Sequence, residues 1–275
     1  MGPGKISSMT IEAKQAAIAA DCRRYEAYTA LWPEEELVEL ENEIGKIEMV
    51  MRPEVESPTE LIELSKNNLV ALLIVGDPLQ ATTHVDLQLQ ALEAGIDCMV
   101  FHGLSITTLV TGAVGLSNYK FGRQTTITYP YGGWIATSPL EVIAMNLFYN
   151  QHTLALLDLD PTGAGTGKQI PMQPKDACHS LRLMKEKVSL MVDDLTEDSF
   201  TDKVKRVALK DFIKLNFDEL KVVLCADMGT KDENITYTTI SKLENMDGGR
   251  LNCLIFPAIT SEVEEKALLR WHREG

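Results

Sequence analysis

The stretch from Asn68 to Gly95 constrains the fold of this chain more than any other. It opens with seven consecutive apolar residues, from Leu69 to Val75. A run of this length is too short for a helix with one polar face, and it is typical of a strand buried on both faces of a parallel sheet. Gly76 and Pro78 then provide the turn at which the strand ends.

A loop and a helix are predicted directly after this strand. Asp77 and the hydroxyl residues 82 and 83 lie in the loop, and Gly95 ends the helix. The apolar stripe of the helix consists of Val85, Leu89 and Leu92. Because open α/β sheets bind ligands beyond the carboxyl ends of their strands, this loop predicts a ligand site. The alternative interpretation is a simple turn.

The remaining pattern alternates strands with helices and predicts an α/β fold. A second buried strand is predicted at residues 96–101, which gives a β–α–β unit with a helical crossover. Other strands are predicted at residues 25–31, 47–51, 124–129, 153–159, 220–226 and 251–256. Helices are predicted at residues 11–20, 34–43, 106–113, 138–149, 174–192 and 238–245, together with one that ends at residues 61–65.

Several helix starts carry capping signals. Thr10 is predicted to cap the first helix, and Ser105 the helix that follows residue 105. Ser138 and Glu141 form a predicted capping box with proline at the first helical position. A second capping box, at residues 261–264, predicts the terminal helix.

Residues 161–171, with the sequence PTGAGTGKQIP, predict a flexible linker between domains 1–160 and 172–275. Part of this segment resembles a phosphate-binding loop. That motif would require glycine in place of Thr162 and a hydroxyl residue in place of Gln169. Pro171 also delays the helix that should follow at once. The pattern therefore favours a linker over a nucleotide site.

Charge and cysteine content limit the classes of partner and the compartment. The 275 residues carry 26 basic against 40 acidic side chains, a net charge of −14, which disfavours nucleic acid and anionic membranes as partners. No apolar run approaches the roughly 20 residues of a membrane span, and no secretory signal is visible. The five cysteines form no C-x-x-C pair and suit a reducing cytoplasm. Cys98, Cys225 and Cys253 are predicted in the core.

Six short motifs occur in order along the first 159 residues. They are YEAYTA at residues 25–30, GDPLQATTH at 76–84, HGLSI at 102–106, GLSNYKFG at 115–122, YPYGGWIATS at 129–138 and HTLALLDL at 152–159. This series resembles the diphthine synthase family, in its archaeal branch, within the tetrapyrrole-methylase superfamily. The resemblance is close from about residue 2 to residue 159 and looser beyond.

The resemblance implies a two-domain tetrapyrrole-methylase fold of the class III methyltransferases, and S-adenosylmethionine as the methyl donor. It implies methylation of the amino group of the 3-amino-3-carboxypropyl-histidine of translation elongation factor 2, in a cytoplasmic homodimer. Two alternatives stay open: a corrin or precorrin methyltransferase of the same fold, and a non-catalytic protein that binds elongation factor 2. The number of methyl groups added is not implied.

The resemblance also implies which residues contact the donor. They are Pro3, Asp77, Gln80, Ser105, Ile106, Leu157, Met228 and Asn252. Two of them depart from the family pattern, since Asn252 stands where a histidine is usual and Met228 follows Asp227 where an arginine is usual. Gln80 is expected to contact the donor through its backbone. No catalytic residue and no metal ligand is assigned.

Three histidines, and the loop residues beside one of them, are given roles from their positions in the sequence. Residues 82–84 are expected on the substrate side or in locking the loop, with His84 more often structural than basic. His102 and His152 flank predicted strands and are assigned structural roles.

At the N-terminus, Pro3 and Thr10 match the end of a strand–turn–helix unit whose strand is absent. We therefore expect that residue 1 is internal to the natural reading frame, so that the first strand of the fold is truncated.

Overall fold

The computed structural model describes residues 1–166 and 168–272. Gly167, in the predicted linker, and residues 273–275, at the end of the predicted second domain, lie outside the described residues. The contacts divide the chain into two compact units. Unit 1 comprises Met1–Leu109, Ala164–Gln169 and Met228–Lys231, and unit 2 comprises Val110–Gly163, Ile170–Asp227 and Asp232–Gly275. The domain boundaries expected from the sequence stay a prediction.

Unit 1 is built on a three-stranded parallel sheet of order β2-β1-β3. Its elements are α1 (Ile11–Ala19), β1 (Cys22–Glu26), α2 (Glu34–Ile44), β2 (Glu48–Val50), α3 (Arg52–Glu56), α4 (Thr59–Ser65), β3 (Val70–Leu73) and α5 (His84–Glu93). The parallel strands are joined by helices, as the β–α–β pattern requires. The division between the units falls within α6 (Ile106–Ala113).

Buried aromatic side chains connect the sheet of unit 1 to its N-terminal loop. Tyr25 on β1 and Trp32 are buried in one cluster with Leu40 and Leu73. The Tyr25 hydroxyl accepts a hydrogen bond of 2.9 Å from the Trp32 amide, and Trp32 Nε1 donates to the Gly2 carbonyl at 2.9 Å. Burying the polar atoms of both aromatics with partners fixes the position of residue 2.

Unit 2 is built on a five-stranded mixed sheet of order β4-β5-β8-β6-β7. Its elements are β4 (Thr125–Ile127), α7 (Ser138–Phe148), β5 (Thr153–Leu157), α8 (Pro174–Met191), α9 (Phe200–Lys214), β6 (Lys221–Ala226), β7 (Asn234–Thr239), α10 (Ile240–Leu243), β8 (Asn252–Phe256) and α11 (Glu262–Leu269). Only β4 and β5 are parallel, and the other three pairings are antiparallel. Leu140, Leu181 and Leu254 are among the fully buried residues of its core.

The predicted strand at residues 96–101 is wrong. These residues form no strand, and Met99 is 80% exposed. A strand exists only when its backbone groups pair with a neighbour, and in the described chain the ladder of β3 has one neighbour, β1. Cys98 is exposed for the same reason, which corrects its predicted place in the core, whereas Cys225 and Cys253 are buried as predicted.

The strand predicted at residues 69–75 is shorter and less buried than expected, and it lies at an edge of its sheet. Residues 70–72 of β3 are half-buried, and Leu69 is 57% exposed. The stripe of α5 lies on one side of the helix, as predicted, but that side is exposed, since its members Val85, Leu89 and Leu92 are 51, 53 and 67% exposed. The prediction of burial on both faces was therefore wrong.

Helix ends were predicted better than strand ends. Thr10 accepts from the Ala13 amide at 3.2 Å, and Ser261 forms the predicted capping box with Glu264. The cap of α7 is Thr137 rather than Ser138. Four other elements differ from the prediction. Strand β1 ends at Glu26, β7 occupies part of the predicted helix at residues 238–245, and α3 and α9 had no sequence prediction. No helix in the described part of the chain has the length and apolar composition needed to cross a membrane.

Candidate functional site

Three glycine backbones meet where β3 ends. The amides of Gly2 and Gly76 each donate to the carbonyl of the other, at 3.2 and 3.0 Å. A Cβ atom on Gly103 would lie 2.2 Å from the Gly76 carbonyl oxygen. Backbone can approach backbone this closely only without side chains. The N-terminal loop, the loop after β3 and the loop before α6 are therefore held together at this point.

A fourth loop, at residues 228–231, packs on the N-terminal loop within unit 1. A Cβ atom on Gly229 would lie 2.4 Å from Pro3 Cγ, and one on Gly4 would lie 2.6 Å from Thr230 Cγ2. Pro3 and Met228 are both buried. Two of the predicted donor contacts therefore lie on adjoining loops.

Asp77 follows Gly76 and is the buried carboxylate of this region, with 5% exposure. Its Oδ1 accepts from the Leu79 amide at 2.9 Å, and its Oδ2 accepts from the Gly103 amide at 3.3 Å. His102 Nδ1 lies 2.8 Å from Oδ2. Burial opposes ionisation, but these hydrogen bonds outweigh it, so the pKa of Asp77 lies below its ordinary value. The carboxylate is held ionised in a fixed orientation.

A chain of hydroxyls connects the start of α6 to Gln80. Ser105 Oγ accepts from the Thr107 amide at 3.2 Å, which confirms Ser105 as a helix cap. Thr107 Oγ1 donates to Gln80 Oε1 at 2.5 Å. Because a hydroxyl has one proton, Ser105 Oγ must be the donor in its 2.9 Å contact with Thr107 Oγ1. The Gln80 side chain thus has a structural partner. Ile106 is half-buried at the first position of α6.

The other two predicted contacts lie in unit 2. Leu157, the last residue of β5, is buried in the core. Asn252 is the first residue of β8, and both the oxygen and the nitrogen of its side-chain amide form hydrogen bonds. Its Oδ1 accepts from the Gly249 amide at 2.7 Å, and its Nδ2 donates to the carbonyls of Met172 and Gly249 at 3.2 and 3.1 Å. This asparagine fixes the turn before β8.

A second polar cluster lies under the loop after β3. Glu26 is fully buried, and its carboxylate accepts from the amides of Tyr28 and Thr29 and from the Thr29 hydroxyl. Burial raises the pKa of Glu26. His84 is buried with Nδ1 3.1 Å from the Pro78 carbonyl oxygen, so Nδ1 carries the proton. The contact with Pro78 locks the loop, in agreement with the structural interpretation of His84.

The comparison with protein families decides the class of the chain. The family model described as Tetrapyrrole (Corrin/Porphyrin) Methylases matches residues 1–244. The chain belongs to this family. The tetrapyrrole-methylase fold expected from the sequence is thereby confirmed.

Named relatives of this tetrapyrrole methylase are diphthine synthases. The chain is 31% identical to the diphthine synthase of Methanococcus aeolicus over 262 residues, which cover 94% of the chain and 91% of that protein. It is 34% identical to that of Methanospirillum hungatei over 161 residues, 58% of the chain and 64% of that protein. The second match thus spans less than two thirds of the Methanospirillum hungatei protein. A crystal structure of diphthine synthase, 26% identical, superposes with a TM-score of 0.76 over 98% of this chain and 94% of that one.

Of the residues predicted to contact the donor in this tetrapyrrole methylase, four lie on loops that the structure brings together. Asp77, Ser105, Gln80 and Pro3 lie on loops that meet in unit 1. His102 had been assigned a structural role, and its contact with Asp77 was missed. The two residues are 25 positions apart, so only the fold reveals the contact. Within residues 1–166 and 168–272, no three or more His, Cys, Asp or Glu side chains are grouped to hold a metal ion.

Proposed function

We propose that the chain is an S-adenosylmethionine-dependent methyltransferase of the diphthine synthase type. The observation that carries the proposal is the ionised, buried Asp77 on the loops that meet beside β3, in a chain similar over 94% of its length to a diphthine synthase. Loops at the carboxyl ends of parallel strands are the usual ligand sites of open α/β sheets.

The residues of unit 1 fit the polar part of the donor. A carboxylate offers about four acceptor positions, and Leu79, His102 and Gly103 fill three on Asp77. The remaining position on Oδ1 suits a ribose hydroxyl or an ammonium group. The close contact of the glycine backbones keeps the loops around Asp77 together. Pro3, Ile106 and Met228 would supply apolar contacts. Gln80 and Ser105 would hold the loops in place, and Leu157 and Asn252 stay expectations.

In this reaction the main task of the protein is to position the reactants. S-adenosylmethionine, when bound, supplies a methyl group already activated by a sulfonium. The chain must hold an acceptor nitrogen about 3 Å from that carbon, exclude water and dispose of a proton. We propose as acceptor the amino group of the 3-amino-3-carboxypropyl-histidine of translation elongation factor 2, from the names of the relatives.

The other expectations from the sequence belong to the same proposal. We propose a cytoplasmic homodimer whose protein partner is elongation factor 2. The net charge of −14 supports the absence of direct contact with nucleic acid or anionic membranes. The second candidate is methylation of a corrin ring, because the matching family model is described by corrin and porphyrin methylases.

One experiment separates these candidates. The protein is incubated with methyl-labelled S-adenosylmethionine and with elongation factor 2 that carries the modified histidine, and the product is analysed by mass spectrometry. Unmodified elongation factor 2 and a precorrin are the matched controls. Methyl addition only to the modified protein supports the proposal, and methylation of the precorrin instead transfers the assignment to the corrin class. Calorimetry with S-adenosylhomocysteine, for which we expect micromolar or tighter binding, identifies a non-catalytic chain by the absence of heat.

A further inference from the structure

The His102 ring contacts a buried carboxylate on one side and is exposed on the other. The His102 side chain is 71% exposed, whereas its partner Asp77 is 5% exposed. An ionised carboxylate can only accept hydrogen bonds, so Nδ1, at 2.8 Å from Asp77 Oδ2, carries the proton. In the neutral ring Nε2 is then an acceptor, and it has no hydrogen-bond partner among the described residues.

The surroundings place this acceptor among the proposed donor contacts. His102 contacts Asp77 directly, and the next residue, Gly103, donates its amide to the same carboxylate oxygen. Ser105, which caps α6, follows two residues later. A ring whose Nδ1 is fixed by a buried carboxylate has one tautomer and one orientation, which is the arrangement that general bases use.

We propose that His102 Nε2 accepts the proton that the acceptor amine must lose before methyl transfer. The proposal rests on the proposed function and adds a catalytic residue to it. It replaces the structural role that the sequence had suggested for His102.

Atoms and charge are conserved in this transfer. The acceptor ammonium gives one proton to Nε2, which makes His102 an imidazolium, and the freed nitrogen lone pair forms the new N–C bond. The C–S bond breaks, and its electron pair passes to sulfur as the sulfonium becomes a thioether. The imidazolium is stabilised by Asp77 through Nδ1, and it returns its proton to water at the exposed side of the ring.

Asp77 is the charged group that faces this proton transfer. Its Oδ2 lies 2.8 Å from Nδ1, and hydrogen bonds from the Leu79 and Gly103 amides help to hold the carboxylate ionised. Asp77 is retained when only His102 is changed, so variants of residue 102 isolate the contribution of the imidazole.

The test compares His102→Asn with His102→Gln and the wild type in single-turnover methyl transfer from pH 5.5 to 9. Asparagine places its amide nitrogen near the position of Nδ1 and can keep the hydrogen bond to Asp77, but it offers no base. We expect both variants to bind S-adenosylhomocysteine within about two-fold of the wild type. We expect their methyl transfer to be slower by about 100-fold, the lower range of general-base contributions. The fall of rate toward acidic pH should also disappear. In a third variant, His102→Ala, which removes the ring, added imidazole should restore part of the rate.

A wild-type rate and pH profile in His102→Asn would overturn the inference, because a purely structural role is met by the retained hydrogen bond. A matched loss in affinity for S-adenosylhomocysteine would overturn it as well, since His102 would then act on donor binding. If the wild type itself transfers no methyl group to the modified elongation factor, the proposed function fails, and this inference fails with it.

Discussion

His152 Nε2 lies 3.1 Å from Glu264 Oε1 inside unit 2, and the His152 ring is fully buried. Its Nδ1 accepts from the Ala258 amide at 2.9 Å, so the ring proton is on Nε2 and is donated to Glu264. The same carboxylate accepts from the amides of Ser117 and Ser261 at 2.9 and 2.8 Å. One carboxylate therefore joins the start of α11, the residue that precedes β5 and the loop after α6.

This relationship predicts a loss of stability in acid. Burial opposes ionisation of Glu264, but its hydrogen bonds lower its pKa to about 2, while burial lowers the pKa of His152. Both folded-state pKa values lie below the unfolded ones, so unfolding takes up protons and the stabilisation is lost as pH falls. For Glu264 the loss runs from about pH 4.5 down to about pH 2.

We expect Glu264→Gln to lower the free energy of unfolding at pH 7 by about 1–3 kcal/mol. Its melting temperature should depend less on pH than that of the wild type between pH 5 and 3. Glu262→Gln, on the exposed side of the same helix, is the control with little effect. Thermal melts that fall in parallel for the wild type and Glu264→Gln would contradict this reasoning.

Asp77 provides the most direct test of donor binding. Replacing it with asparagine removes the charge and leaves similar volume, so we expect S-adenosylhomocysteine to bind about 1–3 kcal/mol more weakly. Asp86→Asn is a suitable control, because Asp86 is exposed on α5 and its carboxylate bonds only Gln90 among the described residues. Calorimetry measures both affinities. Equal affinity of Asp77→Asn and wild type would reduce Asp77 to a turn residue.

Local signals predicted several helix ends and the loop that carries Asp77. The Thr10 and Ser261 caps act within four residues, so they can be read from the sequence. The motif around Asp77 likewise identified the loop. The strand at residues 96–101 could not be decided this way, because strand formation depends on a neighbour that may lie anywhere in the chain. The contact of His102 with Asp77 depends on the same long-range geometry.

The cysteines should differ strongly in reactivity. Cys225 and Cys253 lie directly opposite each other on β6 and β8 and are buried, and the hydrogen bond between them and their burial raise the pKa of Cys225. Burial raises the pKa of Cys178 to about 12. Burial and Asp97 also raise the pKa of Cys98, but Cys98 is exposed and its sulfur can be reached by the reagent, so we expect iodoacetamide to modify Cys98 first. Peptide mass analysis after timed alkylation measures the order, and early labelling of Cys225 would show that β6 opens readily.

Gly103 tests whether the close backbone contact holds the site together. A Cβ atom there would lie 2.2 Å from the Gly76 carbonyl oxygen, which is backbone and cannot rotate away. Gly103→Ala must therefore separate the loops before and after α5. It must also shift the Gly103 amide, which donates a hydrogen bond to Asp77. We expect a cost in folding free energy of about 1–3 kcal/mol, the range for overpacked sites, and weaker binding of S-adenosylhomocysteine.

Gly112→Ala is the matched control for this substitution. Gly112 lies within α6, and a Cβ atom there meets no other atom within 4 Å. Because alanine favours a helix over glycine by about 1 kcal/mol, this variant should melt slightly higher than the wild type and bind ligand equally well. Chemical denaturation and calorimetry compare the two variants. If Gly103→Ala were as stable as Gly112→Ala and bound S-adenosylhomocysteine equally well, the three loops would not depend on contact between glycine backbones, and Asp77 would be oriented by its side-chain partners alone.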